Sequence, residues 1–180
     1  WNGYFLAALA RSGAALKREA YRNAAEKGGR FLLETMRLPS GILGHAWKGG
    51  DLLRKGFLDD QAFAVLALIE LYESSGNRLW LEEALALAEA TEKVFGDASG
   101  AYRLAPRNNE GLLPPRLEGA DGPYSSGNGV MALALARLGR LLRRPDLEER
   151  ALAAVEAFGG AISARPLEHV TLLAARSLLE

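Results

Sequence analysis

The sequence predicts an all-α protein built from antiparallel helix hairpins that form part of an (α/α)6 toroid. Three observations predict this fold class. The 180 residues include 33 leucines and 31 alanines but only eight valines and isoleucines, a balance that favours helices over strands. Apolar residues recur with the helical period in seven segments. Pairs of these segments repeat along the chain, as in an array of helix hairpins.

The seven helical segments are each bounded by Gly, Pro or Asn signals. They are predicted at residues 2–16, 19–36, 59–75, 78–95, 126–143, 146–163 and 167–179. Short turns join the two helices of a pair, whereas long Gly- and Pro-rich stretches, at 37–56 and 96–124, join one pair to the next. This alternation is typical of stacked helix hairpins with small β-hairpin or loop insertions between them.

The repeat is visible as alanines that keep the same two offsets, 59 and then 67 residues, in both helices of the pair. They are Ala8, Ala67 and Ala134 in the first helix, and Ala25, Ala84 and Ala151 in the second. First helices such as 126–143 are apolar around their circumference and their partners are amphipathic, which predicts an inner ring wrapped by an outer ring. Three hairpins and a final helix make half of a six-hairpin ring. We therefore expect residues 1–180 to be a single partial toroid domain, and the start at Trp1 rather than Met suggests a piece of a longer protein.

Charge and cysteine content exclude several functions. The chain has 22 basic and 22 acidic residues, so it lacks the excess of Lys and Arg expected of a protein that binds nucleic acid or an anionic membrane. It has no cysteine and only two histidines, which argues against disulfides, thiolate chemistry and a zinc site and favours a cytoplasmic protein. No apolar run is long enough to span a bilayer. No cofactor is predicted.

Three sequence segments carry a resemblance to a known family. They are WNGYFLAALA at the start, GFLDDQAFAVLALIELYESSGNRLWLEEAL from Gly56, and DGPYSSGNGVMALALARLGRLL from Asp121. In order and over nearly the whole chain, they resemble the C-terminal α/α toroid of YyaL-type proteins, the spermatogenesis-associated proteins with a thioredoxin domain. That family is expected to show WNGL, GFLDDYA and DGA-PSGNS, so Gln61, Ser125 and Gly129 are departures.

The resemblance implies a six-hairpin glycosidase-like fold, similar in shape to N-acylglucosamine 2-epimerases and preceded by a thioredoxin-like domain and further hairpins. In such a toroid the inner helices point their N-termini at a common cavity. The resemblance thereby places the candidate chemistry at the starts of the inner helices.

Asp59 and Asp60 are the candidate catalytic carboxylates, since glycoside hydrolysis uses one protonated and one ionised carboxyl group. Adjacent helix residues point about 100° apart, so one of them can cap the helix while the other enters the cavity. The alternative is that both only cap the helix and complement its dipole. A second acid is required from another loop, and Asp121, Glu110 and Glu118 are the choices.

His45 is the third candidate catalytic residue and lies two positions before Trp47 in a Gly-rich loop. In an extended segment both side chains point to one side, where they would hydrogen-bond and stack on a sugar ring. The alternative is an exposed histidine beside a packing tryptophan. The remaining candidates for substrate binding are hydrogen-bonding and aromatic residues near the inner-helix starts: Trp1, Asn2, Asp121, Tyr124, Ser126 and Asn128. For Ser126 the plain interpretation is a helix cap with a tight turn, and hydrogen bonding to ligand hydroxyls is the alternative.

Two functions follow from these residues. The first is a domain that binds or processes carbohydrate, with glycosidase-like or epimerase-like acid/base catalysis. The second is a noncatalytic helical scaffold that presents its groove to a protein or peptide. In either case a half toroid would expose the flanks of its terminal helices, so we expect self-association or a missing N-terminal part of the same chain to cover them.

Overall fold

The structure, a computed structural model, describes residues 1–106 and 116–180, with residues 53 and 54 described by their backbone alone. Most of the described residues are helical, as the sequence predicts. The elements in chain order are α1 (Asn2–Ala15), α2 (Glu19–Thr35), β1 (Gly44–Lys48), β2 (Asp51–Lys55), α3 (Leu58–Ser75), α4 (Arg78–Phe95), α5 (Gly127–Leu142), α6 (Pro145–Glu156), α7 (Gly159–Ala164) and α8 (Val170–Leu179). Among the described residues, no helix has both the length and the hydropathy that crossing a membrane requires.

The chain divides into two compact units, Trp1–Thr91 and Glu92–Glu180. In the first unit, α1, α2 and α3 pack on one another. Gly3 sets the closest approach of α1 to α3, because a Cβ atom there would lie 2.6 Å from the backbone carbon of Phe63. The first turn of α1 therefore lies directly against the first turns of α3.

The insertion between α2 and α3 is a two-stranded antiparallel hairpin in which Gly44 pairs with Lys55 and Lys48 with Asp51. Its turn is Gly49-Gly50, and both residues have positive φ, as a two-residue hairpin turn requires. The sequence also predicts a small hairpin or turn at 95–104. The structure has isolated bridges there, including one between Gly96 and Tyr102, and its two-stranded sheet at 44–55.

In the second unit, α5 is the central helix and packs on α6 and α8. Its residues from Val130 to Ala136 are buried apart from Leu133, which agrees with the apolar sequence. Gly129 allows α8 to approach, because a Cβ atom there would lie 2.8 Å from Cβ of Thr171. Both units thus use a glycine at the start of an inner helix to bring a neighbouring helix close.

The repeated alanines differ in burial. Ala25, Ala84 and Ala151 are fully buried, so the second helix of each pair presents the same face to the interior. In the first helices, Ala67 and Ala134 are buried but Ala8 is exposed. The α1 helix also carries exposed aromatic side chains, since Phe5 is 64% exposed.

Two predicted helices have different bounds in the structure. The segment predicted as one helix over 146–163 is two helices, α6 and α7, with a break at residues 157 and 158. The break precedes the pair Gly159-Gly160, and glycine is a weak helix former. The segment predicted over 167–179 begins with a 3-10 turn, Pro166–Glu168, and becomes α-helical only at Val170.

Candidate functional site

The start of α3 positions the first candidate site residue, Asp60. Phe57 precedes the helix with an extended backbone and has no side chain that caps it. Instead, Asp60 turns back and its Oδ2 accepts the backbone N–H of Phe57 at 2.8 Å. A carboxylate here also complements the positive end of the helix dipole. The local sequence therefore fixes the Asp60 carboxylate at the helix N-terminus.

His45 reaches the same carboxylate from β1. Its Nδ1 lies 2.9 Å from Oδ2 of Asp60, and its ring meets the Phe57 ring edge-on with centroids 5.1 Å apart. An ionised carboxylate only accepts hydrogen bonds, so Nδ1 carries the proton of this contact. In the neutral ring that leaves the lone pair on Nε2. A carboxylate that holds an imidazole in one tautomer is the arrangement by which proteins orient a histidine base.

The pair borders a cavity of about 140 Å³ in the first unit. Its polar edge includes Asn2, His45 and Asp60, with Trp1 beside them. Its apolar lining consists of Leu32, Met36, Leu43, Phe63 and Ala64. The His45 side chain is 47% exposed and that of Asp60 is 22% exposed, so the pair is accessible from solvent. The volume is below the roughly 300 Å³ at which complete ligand pockets begin, which fits one part of a ligand.

The structure thus brings together four predicted site residues, Trp1, Asn2, His45 and Asp60, and separates two others from them. Asp59 does not line the cavity. Trp47 does not line it either, and its ring packs edge-on against Phe31 with centroids 5.7 Å apart. The two roles that the sequence divides between the adjacent aspartates, capping and facing the cavity, both belong to Asp60. The apolar lining gave no signal in the sequence, because Leu32 and Met36 look like ordinary core residues of a helix.

The polar residues before α5, in the second unit, have a different environment. Asn128 is buried, and its Oδ1 accepts the backbone N–H of Tyr102 at 2.8 Å. Its Nδ2 donates to the carbonyl oxygens of Tyr102 and Glu118, both at 2.9 Å. The side-chain amide therefore joins the start of α5 to two backbone segments.

Ser126 and Asp121 are engaged in the same way. The Ser126 hydroxyl caps α5 by accepting the N–H of Gly129 at 3.1 Å and donates to the carbonyl of Gly119 at 2.9 Å. Asp121 accepts the N–H of Ser126 through Oδ1 at 2.9 Å and that of Thr171 through Oδ2 at 2.8 Å. The side chains of Asp121, Ser126 and Asn128 thus bind backbone groups of this segment and of neighbouring segments of the second unit. Tyr124 is exposed.

The candidates for the second acid do not line the cavity beside Asp60 among the described residues. Asp121 and Glu118 belong to the second unit. Glu110 lies outside the described residues, as does most of the segment 106–118, which the sequence predicts to be a loop at the cavity rim. Within the described residues, no cluster of three or more His, Asp or Glu side chains is placed to hold a metal ion.

A buried tyrosine anchors the second unit next to this segment. The Tyr102 hydroxyl donates to Oε2 of Glu92 at 2.7 Å, and Arg150 donates to the same oxygen at 2.8 Å. Burial of the phenol and the adjacent Glu92 carboxylate hold the pKa of Tyr102 well above its ordinary value. Tyr102 is therefore a neutral hydrogen-bond donor over the physiological range and part of the core.

The sequence is similar to known proteins. It is 35% identical to spermatogenesis-associated protein 20 of Mus musculus in an alignment of 169 positions that covers 88% of this chain and 21% of that protein. It is 34% identical to the Homo sapiens protein of the same name in an alignment of 169 positions that covers 88% of this chain and 22% of that protein. The chain therefore spans about a fifth of the length of these curated relatives. No family model matches the chain.

Solved structures share the fold. The cellobiose 2-epimerase from Spirochaeta thermophila DSM 6192 superposes with a TM-score of 0.67 at 23% identity, over 87% of this chain and 41% of that one. The cellobiose 2-epimerase from Bacillus thermoamylovorans B4167 gives a TM-score of 0.65 at 23% identity, over 87% of this chain and 42% of that one. The predicted resemblance to spermatogenesis-associated proteins and the predicted fold class, part of an α/α toroid, are both confirmed.

Proposed function

We propose that this chain, a relative of spermatogenesis-associated protein 20 with the fold of the epimerase toroids, binds a sugar ring in the cavity at the start of α3 and processes it by acid/base chemistry. The observation that carries the proposal is the pair of His45 and Asp60, 2.9 Å apart at the edge of that cavity. The fold itself supports a sugar-processing protein, because the two solved structures named above are cellobiose 2-epimerases.

The cavity offers the three kinds of group that recognise a sugar. The amide of Asn2 donates to and accepts from hydroxyl groups, and the indole of Trp1 supplies an apolar face. Trp1 is 79% exposed, so most of its surface faces solvent at the edge of the cavity. His45 supplies a base whose proton is fixed on Nδ1 by Asp60.

The make-up of the pair favours proton transfer over glycoside hydrolysis. Hydrolysis uses two carboxyl groups about 5–10 Å apart, whereas Asp60 is the single carboxylate among the described residues that line this cavity. Epimerisation next to a carbonyl needs a base that removes a proton from carbon and a group that returns one to the opposite face. In the proposed mechanism Nε2 of His45 takes the proton from the carbon next to the carbonyl, and Asp60 stabilises the imidazolium that forms. Solvent water, which reaches the exposed pair, returns a proton to the opposite face of the resulting enolate, and the imidazolium releases its proton to solvent.

Ligand-induced stabilisation tests binding. The intact protein is screened by thermal shift against mono- and disaccharides, alongside the variants His45→Gln, Asp60→Asn and Asp59→Asn. A ligand at about 100 times its Kd adds about 2.7 kcal/mol of stability, which shifts Tm by several degrees. We expect a sugar-specific shift that disappears in His45→Gln and Asp60→Asn and persists in Asp59→Asn, the matched control that leaves the cavity intact.

Two results would contradict the proposal. The absence of a shift with every sugar, from a folded protein, would favour the noncatalytic scaffold. A shift that survives both His45→Gln and Asp60→Asn would move the sugar to another site. For the chemistry, a sugar that binds is incubated in D2O, and incorporation of deuterium next to its carbonyl carbon is measured by NMR. We expect incorporation that depends on His45.

A further inference from the structure

Gln61 joins the two elements that carry the pair. His45 lies on β1 and Asp60 lies on α3, fifteen residues apart in the sequence, so their distance depends on how the hairpin is attached to the helix. Gln61 is fully buried, although its side chain is polar.

The Gln61 side chain binds the residue that precedes β1. Its Oε1 accepts the N–H of Leu43 at 2.7 Å, and its Nε2 donates to the Leu43 carbonyl at 3.0 Å. The Gln61 side-chain amide thus binds both the N–H and the C=O of Leu43, as the backbone of a neighbouring strand would. Leu43 is two residues before His45.

The same amide reaches the residue before α3. Nε2 of Gln61 also donates to the carbonyl of Phe57 at 3.2 Å, and Phe57 is the residue whose N–H binds Asp60. Gly56 leaves room for this arrangement, since a Cβ atom there would lie 2.2 Å from the Leu43 oxygen and 2.4 Å from Nε2 of Gln61. One buried side chain therefore sets the spacing between the strand of His45 and the helix start of Asp60.

We infer that Gln61 is a positioning residue that holds His45 at hydrogen-bond distance from Asp60 and so fixes the tautomer of the His45 ring. The inference rests on the proposed function only where it concerns a sugar. The geometry of the pair is testable without one.

The test is the NMR signature of the imidazole nitrogens in the full chain, which contains two histidines. His169 serves as the internal reference, because its Nδ1 lies 2.9 Å from the Arg165 carbonyl in the other unit. The variants are Gln61→Met, which keeps the length of the side chain without its hydrogen bonds, and Thr91→Val as the matched control. Thr91 is also buried in the first unit, and its hydroxyl donates only to the carbonyl of Leu87 in its own helix.

In the unaltered chain we expect His45 to show the Nδ1–H tautomer, with an Nε2 that is unprotonated in the neutral ring. In Gln61→Met we expect that signature to weaken toward a mixture of tautomers, while His169 keeps its own. In Thr91→Val both histidines should keep their signatures. A folded Gln61→Met protein with the unaltered His45 signature would overturn the inference and leave Gln61 a structural residue.

Hydrogen exchange gives a second measurement that does not depend on whether Gln61→Met folds. The N–H of Leu43 is held by Gln61 and that of Phe57 by Asp60. We expect both amides of the unaltered chain to exchange through one shared opening, with protection factors that agree within about threefold. If the Phe57 N–H exchanged tens of times faster than the Leu43 N–H, the two amides would open separately. That result would contradict the inference that Gln61 holds the hairpin to the start of α3.

The result that would reject the proposed function differs from the result that would reject the positioning role of Gln61. A His45 tautomer that depends on Gln61, in a protein that no sugar stabilises, would retain the positioning role and reject the sugar site. If sugars do bind, we expect Gln61→Met to weaken the proton exchange in D2O more than tenfold while changing the sugar's Kd less than threefold. An equal loss of both would indicate a general disturbance of the cavity rather than positioning of the base.

Discussion

The starts of α3 and α5 carry the same sequence signal and use it differently. Each is a run of polar residues that ends at an apolar inner helix. At α5 the side chains of Ser126 and Asn128 are buried and hydrogen-bonded to backbone groups. At α3 the carboxylate of Asp60 caps the helix with one oxygen contact and uses the same oxygen to hold an accessible histidine.

The contacts of these side chains separate a structural motif from a candidate site. A polar side chain whose donors and acceptors are all taken by buried backbone groups contributes to stability. A polar side chain that holds another titratable group at a cavity edge is available for chemistry. On this criterion, substitutions at α5 should lower stability and substitutions at α3 should change ligand binding.

The largest effect on stability is expected for Asn128→Ala. This change removes three hydrogen bonds and leaves a buried N–H and two carbonyl groups of the neighbouring segments without that partner. Each such loss costs about 1–3 kcal/mol, so we expect the free energy of unfolding to fall by about 3–5 kcal/mol. Urea denaturation followed by circular dichroism measures it.

The control for this change is Asn23→Ala on the exposed surface of α2, for which we expect a change within about 0.5 kcal/mol. If Asn128→Ala were as mild as Asn23→Ala, the side chain of Asn128 would be free to serve a ligand. The contrast between the two helix starts would then be wrong.

A smaller loss in the free energy of unfolding is expected for Gly129→Ser, which introduces the residue that the resembling family is expected to carry at this position. A Cβ atom at Gly129 would lie 2.8 Å from Cβ of Thr171 and 2.9 Å from the Ser126 hydroxyl. Overpacking of this kind costs about 1–3 kcal/mol. Thermal denaturation compares it with Gly122→Ser, a position where a Cβ atom meets nothing within 4 Å. Equal stability of the two variants would mean that α8 moves aside readily.

Asp60→Asn tests the start of α3, where we expect a loss of ligand binding rather than of stability. Asparagine still accepts the Phe57 N–H, and the lost charge at the helix N-terminus is worth at most about 1 kcal/mol. We therefore expect a loss of about 1 kcal/mol or less in the free energy of unfolding, together with at least a tenfold loss of sugar affinity measured by calorimetry. A loss of several kcal/mol would instead place Asp60 in the same class as Asn128.

The smallest effect is a pH dependence at Asp97. Hydrogen bonds from the backbone amide and hydroxyl of Ser99, and the guanidinium of Arg103, hold the pKa of this carboxyl below its ordinary value. A carboxyl whose pKa is lower in the folded state stabilises the protein above its unfolded pKa, and that contribution is lost as the pH falls through the folded pKa. We expect Asp97→Asn to be less sensitive to acid than the unaltered chain.

The measurement is Tm between pH 6 and pH 2.5. Ser99→Ala removes one of the hydrogen bonds and should show an intermediate acid sensitivity. Parallel curves for all three proteins would mean that Asp97 contributes nothing that depends on its charge. In that case the buried contacts of the second unit, and not the charge of Asp97, would account for its stability.

The sequence alone determined the helices and their pairing. Helical period, the Ala and Leu content and the bounding Gly and Pro residues act within a few positions along the chain. For that reason the predicted starts of α1, α2 and α4 agree with the structure within one residue. The break between α6 and α7 was missed because a glycine pair in a helical segment is a weak signal whose outcome depends on packing.

The tertiary structure alone decided which candidate residues meet. The chain between His45 and Asp60 forms a hairpin, and no local rule specifies how that hairpin is attached to α3. The role of Gln61 depends on this attachment. Trp47 was predicted beside His45 but packs on Phe31. In the other unit, Asn128 binds a backbone segment 26 residues away. Contacts between segments distant in sequence follow from how the helices pack and not from the spacing of the residues, so only the folded chain distinguishes a side chain that builds the fold from one that faces a cavity.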